Sequence, residues 1–394
     1  VKLPRRQRAS SPSRRIAAAI TLALLALGGL MLLPPLGAAA TRAPLGSEST
    51  LEIPATTGSF PDTLIHPTRR MDRQLVGSPN QRQFPVIGGQ HVEMSSTYYT
   101  DADMQSIADV LGGLVHSEEM NTLSVYVASP DEIAQICGSG ALACYAPSSS
   151  KMIVSGEDGS SFGVPRDFTI AHEYGHHIAN NRLNAPWTAL DTGAKRWATY
   201  EHVCQGTRKG QLYPGDEDAH YWDNPGEGFA ESNAHLNFPG VSVPWGYNSL
   251  LRPTQASLAK LQADITGPWS GPTTATWNGS LWPQRSNPAQ HRFATPLDGQ
   301  VEIDLSGPAA SNYDLYVLGD KLPLSKHLRE RYRRLHRKHH RLHQLRPRWR
   351  VVSRAVSGGS NEKIELSLCG QSSIHVEVRR ESGRGPFSVS VTRP

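Results

Sequence analysis

Cysteine, aromatic residues and long apolar runs are all scarce in this chain. Its 394 residues include four cysteines and no C-x-x-C pair, which argues against a structural zinc site built on thiolates. Aromatics at 7% and apolar residues at 38% are low, yet the length is enough for two or three domains, each with its own core. A single apolar run, Ile16 to Leu33, is long enough to interest a bilayer, so no second membrane span is expected. Acid is nearly missing from residues 321–350, where twelve Lys and Arg face only Glu330; without that stretch the formal net charge of +5 becomes −6. The basic character of the chain belongs to one segment.

Arg5, Arg6, Arg8, Arg14 and Arg15 precede the apolar run and Ala38-Ala39-Ala40 follows it, the order of a secretory signal with small residues at the cleavage point. Residues 1–40 therefore read as a signal peptide, with the mature, extracellular chain starting near Thr41. The run is long for a signal core, and retention of 16–33 as a membrane anchor is the alternative. Export suits four cysteines. Cys137 and Cys144 flank the flexible Gly138-Ser139-Gly140 and could close as a disulfide, leaving Cys204 and Cys369 paired across domains or free. Residues 41–89 hold Pro, Ser, Thr and Gly without a sustained period, which reads as a linker or short propeptide.

The stretch Ala171-His172-Glu173-Tyr174-Gly175-His176-His177 contains H-E-x-x-H. Given the His and Glu content of the chain, chance would produce that pattern only about 0.03 times. A helix is predicted here, with Asp167 as N-cap after Pro165, apolar contacts at Ile170, Tyr174 and Ile178, and an end at Asn180-Asn181. On it His172 and His176 lie about 40° apart and can reach one metal ion, whereas His177 leaves that face. Gly175 costs about 1 kcal/mol of helix propensity relative to Ala, yet lets another backbone approach closely. Two neutral imidazoles and a carboxylate hold Zn²⁺ with a position open for water, whose pKa falls toward ~7. Glu173, about 100° round the helix from His172, is then a general base rather than a ligand. A surface helix that carries these residues by coincidence is the bland alternative.

A third ligand is offered by Asp223-Asn224-Pro225-Gly226-Glu227-Gly228-Phe229-Ala230-Glu231-Ser232. Asn224 reads as an N-cap and Pro225 as the first helical residue, so Glu227 and Glu231 share a face. Glu227 is the preferred ligand, and Glu231 a carboxylate that orients His172 or His176. Asn224 and Glu227 also have capping-box spacing; if Glu227 folded back onto its own helix start, Glu231 would become the ligand.

His172-Glu173-x-x-His176 followed by Glu227-Gly-Phe-Ala-Glu231 resembles the gluzincin metallopeptidases, most closely the E-x-F-A-E pattern of the lethal-factor type and its secreted relatives. The resemblance implies zinc on Glu227 and, from a Tyr shortly upstream, help in stabilising the tetrahedral intermediate. Tyr221 is the nearest match, with Tyr213 and His220 as rivals and a packing role as the plainer reading. In metallopeptidases of this type a strand placed like Lys151-Met152-Ile153-Val154 pairs with extended substrate, which sets Ile153 near the cleft; a buried interior strand is the alternative.

The catalytic unit is expected over 90–266, with a helix over Asp101 to Val115 and a strand over Leu123 to Val127. Gly206 to Asp223 is polar and turn-rich, a candidate substrate rim in which Asp216, Glu217 and Asp218 could bind Ca²⁺ or simply mark a solvated loop. Residues 267–290 read as a linker. Over 291–394 period-two segments recur at Val301–Leu305, Tyr313–Val317, Lys363–Leu368, Ile374–Val378 and Phe387–Val391, the pattern of a β-sandwich. Asn312-Tyr313-Asp314-Leu315-Tyr316 and the later Gly-rich turn and terminal strand resemble the bacterial pre-peptidase C-terminal domain, which implies a role in secretion, solubility or substrate capture.

Residues 321–350 interrupt that domain inside an expected hairpin from Tyr313–Leu318 to Val351–Val356. Leu328, Tyr332, Leu335, His339 and Leu342 are spaced for a basic amphipathic helix that would meet nucleic acid, anionic lipid or acidic polysaccharide. A solvated basic loop or a local reading-frame error is the alternative.

The sequence thus points to an α+β gluzincin-like zinc metallopeptidase domain followed by an all-β sandwich domain. The expected function is a secreted zinc-dependent endopeptidase, a monomer acting on protein or peptide substrates with no specific nucleic-acid target. The alternative is a catalytically inactive zinc-domain protein serving binding or adhesion. Glu173 separates them, because an inactive domain has no use for a carboxylate between its two His ligands.

Overall fold

Apolar residues recur every three to four positions in the first half of the chain and every two in the second, and the architecture follows that change of period. In a computed structural model of the chain the described residues are 62–64, 81–157, 163–244, 246, 248–283, 288–321 and 349–394. Residues 1–40, expected to be a signal peptide, most of 41–80 and residues 322–348 of the basic insertion lie outside them. Among the described residues no helix is long and apolar enough to cross a membrane.

The first half is built on a six-stranded sheet. Its strands are β1 (Asp62–Leu64), β2 (Arg82–Pro85), β3 (His91–Ser95), β4 (Ser124–Ala128), β5 (Ala143–Ala146) and β6 (Lys151–Ser155), in the spatial order β1-β5-β6-β4-β3-β2. β3, β4 and β6 run parallel, β2 and β5 pair antiparallel with their inner neighbours, and β1 runs parallel to β5. The near-continuous apolar runs of β4 and β6 are what a strand covered on both faces requires. On one face lie α1 (Asp101–Gly113), started by a Thr100–Asp103 capping box, and, beyond α2 (Pro130–Ile136), the helix α3 (Arg166–Asn180). Met104, Ile107 and Leu111 of α1 and Ile170, Tyr174 and Ile178 of α3 join Val92, Met94, Val125, Val127 and Met152 in one core. α2 covers the opposite face, where Ile133 and Cys137 pack on Tyr126, Cys144 and Ile153.

That packing corrects the expectation for Ile153. β6 is hydrogen-bonded on both sides, and Ile153 is fully buried on the α2 side of the sheet. Strand order across a sheet is a long-range property that a local apolar run does not specify.

A short β7 (Leu183–Asn184) and β8 (Trp187–Thr188) ribbon follows α3, then helices α4 (Ala189–Thr192), α5 (Lys195–Tyr200), α6 (Val203–Arg208), α7 (Pro225–Asn237) and α8 (Gln255–Thr266). The second half holds β9 (Thr273–Leu281), β10 (Ala289–Ala294), β11 (Gly299–Ser306), β12 (Asn312–Lys321), β13 (Trp349–Ala355), β14 (Glu362–Leu368), β15 (Ser373–Ser382) and β16 (Gly385–Arg393). They form two four-stranded antiparallel sheets, β10-β15-β12-β13 and β14-β11-β16-β9. Inward residues of both sheets, among them Val301, Ile303, Leu315, Val317, Ile364, Val376 and Val389, make a single core. The fold is therefore an α+β mixture followed by a β-rich region of antiparallel sheets.

Two segments read as linker carry structure. β9 lies within 267–290 and pairs with β16 along its whole length, from Thr273↔Arg393 to Leu281↔Gly385; its Thr-, Asn- and Gly-rich alternation is too weakly apolar to announce a strand. β1 and β2 lie within 41–89. The hairpin expected across the insertion is present as β12 and β13, from Leu315↔Ala355 to Lys321↔Trp349.

Both disulfides close. Cys137–Cys144 ties the end of α2 to β5, and Cys204–Cys369 joins α6 to the turn after β14. In the chain-entropy picture, loops of 7 and 165 residues remove about 2 and about 5 kcal/mol of unfolded-state freedom. The second also answers which partner Cys204 takes. Beside it, Gln205 Nε2 donates to the Cys369 carbonyl (3.4 Å) and Asp298 N donates to Thr199 Oγ1 (3.1 Å), fastening the helical part to the sheets.

Candidate metal centre

α3 is buried on nearly all sides from Phe168 to Ala179, although it carries His172, Glu173, His176 and His177. Pro165, rather than Asp167, occupies the N-cap position; Asp167 sits in the first turn, where its charge favours the helix N-terminus. Burying an ionisable side chain costs several kcal/mol unless it finds partners. His177 finds them away from the metal face. Its Nε2 donates to the Glu119 carbonyl (2.9 Å), and its Nδ1 accepts from the Tyr145 hydroxyl (2.9 Å), which in turn accepts from Asn180 Nδ2 (3.1 Å). Burial pushes His177 down to about 4, so this imidazole stays neutral near pH 7. The Glu119 carboxylate takes the Tyr174 hydroxyl (2.8 Å) and Arg182 Nη2 (2.7 Å). This network fixes the rotation of α3 and hence the direction of its opposite face.

The partner helix α7 starts where its sequence says. Asn224 caps it, its Oδ1 accepting from Gly226 N (3.0 Å) and Gly215 N (3.1 Å), and Pro225 is the first residue. Glu227 makes no capping box and points across to α3. The helices touch at Gly175, where an added Cβ would lie 2.6 Å from Ala230 Cα, and Asn233 Nδ2 donates to the Ala171 carbonyl (2.7 Å). Gly175→Ala is therefore expected to separate the helices by a few tenths of an ångström or more. Overpacking of about 1–3 kcal/mol outweighs the ~1 kcal/mol gained in propensity, so Tm should fall and metal affinity with it. An unchanged Tm and metal affinity in that variant would contradict this close packing.

Between the helices, Glu227 Oε2 lies 3.2 Å from His172 Nε2 and 3.4 Å from His176 Nε2. An ion held tetrahedrally at about 2.0–2.1 Å keeps its donors about 3.3 Å apart, so both imidazole nitrogens already stand at ligand spacing from the carboxylate oxygen. His172, His176 and Glu227 form a buried group able to hold a metal ion. Their leftover polar capacity agrees: Glu227 Oε1 and His176 Nε2 are buried without a hydrogen-bond partner among the described residues. Burial would raise the Glu227 carboxyl, but the imidazoles of His176 and His172 beside it outweigh this and hold it below the usual carboxylate range. The donor set suits zinc.

Glu173 is fully buried on the same helix. Glu231, one turn after Glu227, places Oε2 3.3 Å from His172 Nδ1 and Oε1 3.2 Å from His235 Nε2. Burial raises its carboxyl, and the two histidines more than offset this, leaving it below the usual range. The buried Tyr221 donates its hydroxyl to Glu227 Oε2 (3.0 Å). Tyr213 and His220 instead stack on one another, ring centroids 3.6 Å apart, with the Tyr213 hydroxyl on the Gly210 carbonyl (2.9 Å).

The three loop acids do not gather into a cation site among the described residues. Asp216 Oδ1 accepts from the backbone of Asp218 (3.0 Å) and His220 (3.4 Å), and Glu217 Oε1 accepts from Asn224 Nδ2 (2.8 Å), so two of the three hold the loop itself. A second group of metal-ligand types, Cys204, Asp298 and Cys369, has its sulfurs committed to the disulfide. Glu119 and Tyr145 reach α3 from distant elements and leave no local pattern in the sequence, whereas Asn233 and His235 lie on α7 itself, and the i,i+4 spacing of Glu231 and His235 was a local signal that went unread. No family model matches the chain, and no curated protein shows significant similarity to it.

Proposed function

We propose that this chain is a zinc-dependent endopeptidase of the gluzincin type, with the metal held by His172, His176 and Glu227. The observation that carries the reading is the convergence of three buried donors from two helices, with both imidazole nitrogens at tetrahedral ligand spacing from the carboxylate oxygen. When bound, zinc supplies a Lewis acid that polarises a carbonyl and lowers the pKa of water. Glu173 accepts the proton of the water that attacks the peptide carbonyl and passes it to the departing amine. Tyr221, the side-chain hydroxyl that reaches the ligand carboxylate, is assigned as donor to the oxyanion that develops during attack. Glu231 holds His172 through Nδ1, which would leave the Nε2 lone pair available to hold the metal, and His235 steadies Glu231 in turn.

The test is metal content together with hydrolysis of a peptide library by the full chain. About one zinc per chain is expected, with cleavage lost on treatment with 1,10-phenanthroline and restored by added zinc. A chain that holds zinc and cleaves nothing would instead be a binding protein, and a chain without zinc would overturn the metal assignment itself.

A further inference from the structure

Beside the Cys204–Cys369 disulfide stands a third side chain of metal-ligand type. Asp298, in the turn that precedes β11, brings a carboxylate oxygen to the two sulfurs, and the three buried atoms all lie within 4.8 Å of one another. The aspartate is fixed from both halves of the chain: its Oδ1 accepts from Gly370 N (2.6 Å), and its backbone N donates to Thr199 Oγ1 (3.1 Å). Lys195 and Arg208 are near enough for their charges to act on it.

Two further observations point to an occupant. A cavity of about 10 Å³ lies against Cys204, Asp298, Thr199 and Asn184, about the least space that takes one water-sized guest. Gln205, next to Cys204 on α6, is buried, and its Oε1 has no hydrogen-bond partner among the described residues although its Nε2 donates to the Cys369 carbonyl. Buried polar atoms are nearly always satisfied, so unmet capacity beside a small polar cavity calls for a ligand.

In the reduced chain the two sulfurs become thiolates, which with a carboxylate make a donor set for zinc. Two sulfurs on one tetrahedral ion stand about 3.8 Å apart, a separation that side-chain rotation reaches from Cα atoms 5.6 Å apart. Two thiolates and one carboxylate around a divalent ion leave a single negative charge, which Lys195 and Arg208 face.

We propose that Cys204, Cys369 and Asp298 form a second metal site in the reduced chain, taking a divalent cation that accepts thiolates, zinc above all, and that the disulfide is the metal-free, oxidised state of the same site. A small-molecule disulfide converts one into the other. The two thiolates give up two electrons and form the S–S bond, the S–S bond of the oxidant breaks and takes those electrons with two protons as two thiols, and the cation leaves. The link between the helical part and the sheets is kept in both states, through the ion in one and through the covalent bond in the other. This site is independent of the peptidase reading.

The test adds cobalt(II) chloride to the full chain, reduced by a phosphine that is then removed. It follows the thiolate-to-cobalt charge-transfer absorption in the near ultraviolet, which the group of His172, His176 and Glu227 has no sulfur to give. The reduced chain is expected to show the band, saturating at one such cobalt per chain, and the disulfide-bonded chain to show none. Asp298→Asn keeps the bond from Gly370 N through its amide oxygen but loses the charge, and should weaken cobalt binding in the band at least tenfold. Cys369→Ser should weaken it at least tenfold as well, and serves if the Asn variant does not fold. No band in the reduced chain, or unchanged affinity in either variant, would overturn the proposal. Unfolding of the reduced chain would overturn it too, since its thiols would then take up cobalt alike with Asp or Asn at 298.

Discussion

Glu173→Gln is expected to keep about one zinc per chain and an unchanged Tm while lowering kcat by roughly 10²–10⁴-fold. The amide has the shape of the carboxylate, so the fully buried position is refilled without a cavity, and His172 and His176 keep their places on the same helix. What the amide lacks is the ability to take a proton at neutral pH. KM should change little, because the loss is confined to the step in which the proton moves. The combination matters more than the rate alone. A Glu173 that merely supported the helix would lower Tm and zinc content together with activity, and that pattern would remove the general-base assignment.

Glu227→Gln is expected to strip the site of metal, with zinc affinity falling by well over 10²-fold, whereas Glu231→Gln should cost about 10–100-fold. Glu227 Oε2 faces both imidazoles and the Tyr221 hydroxyl, while Glu231 reaches the far nitrogen of His172 and, outside the donor group, His235. The first change removes a ligand and its charge; the second loosens the orientation of a ligand. Zinc titration by a competing chelator measures both. The reverse order of losses would make Glu231 the ligand, the alternative that the spacing of Asn224 and Glu227 leaves open in the sequence.

The parts of this site that were legible in the sequence are those written in local spacing. The four-residue spacing of His172 and His176 set one helical face, Asn224-Pro225 announced the start of α7, and Gly175 marked the point where the Ala230 backbone comes close. Five of the sandwich strands stood out by alternation. What stayed hidden is long-range. Glu119 and Tyr145 meet Tyr174 and His177 of α3 from 55 and 32 residues away, and Arg182, just past the end of α3, joins Glu119 across 63 residues; nothing near them in sequence says so. The place of Ile153 depended on which strands flank β6. β9 was obscured because Thr, Asn and Gly on a half-exposed edge give little apolar contrast. The partner of Cys204 required the two halves of the chain to be brought together, which only the fold does.

The central claim is the identity of the metal and its three ligands, and anomalous diffraction at the zinc edge from crystals of the full chain tests it most directly. The expected result is one strong peak about 2.0–2.2 Å from His172 Nε2, His176 Nε2 and a Glu227 carboxylate oxygen. A zinc peak elsewhere, a site completed by Glu231 in place of Glu227, or no bound zinc in crystals grown with the metal present would contradict it.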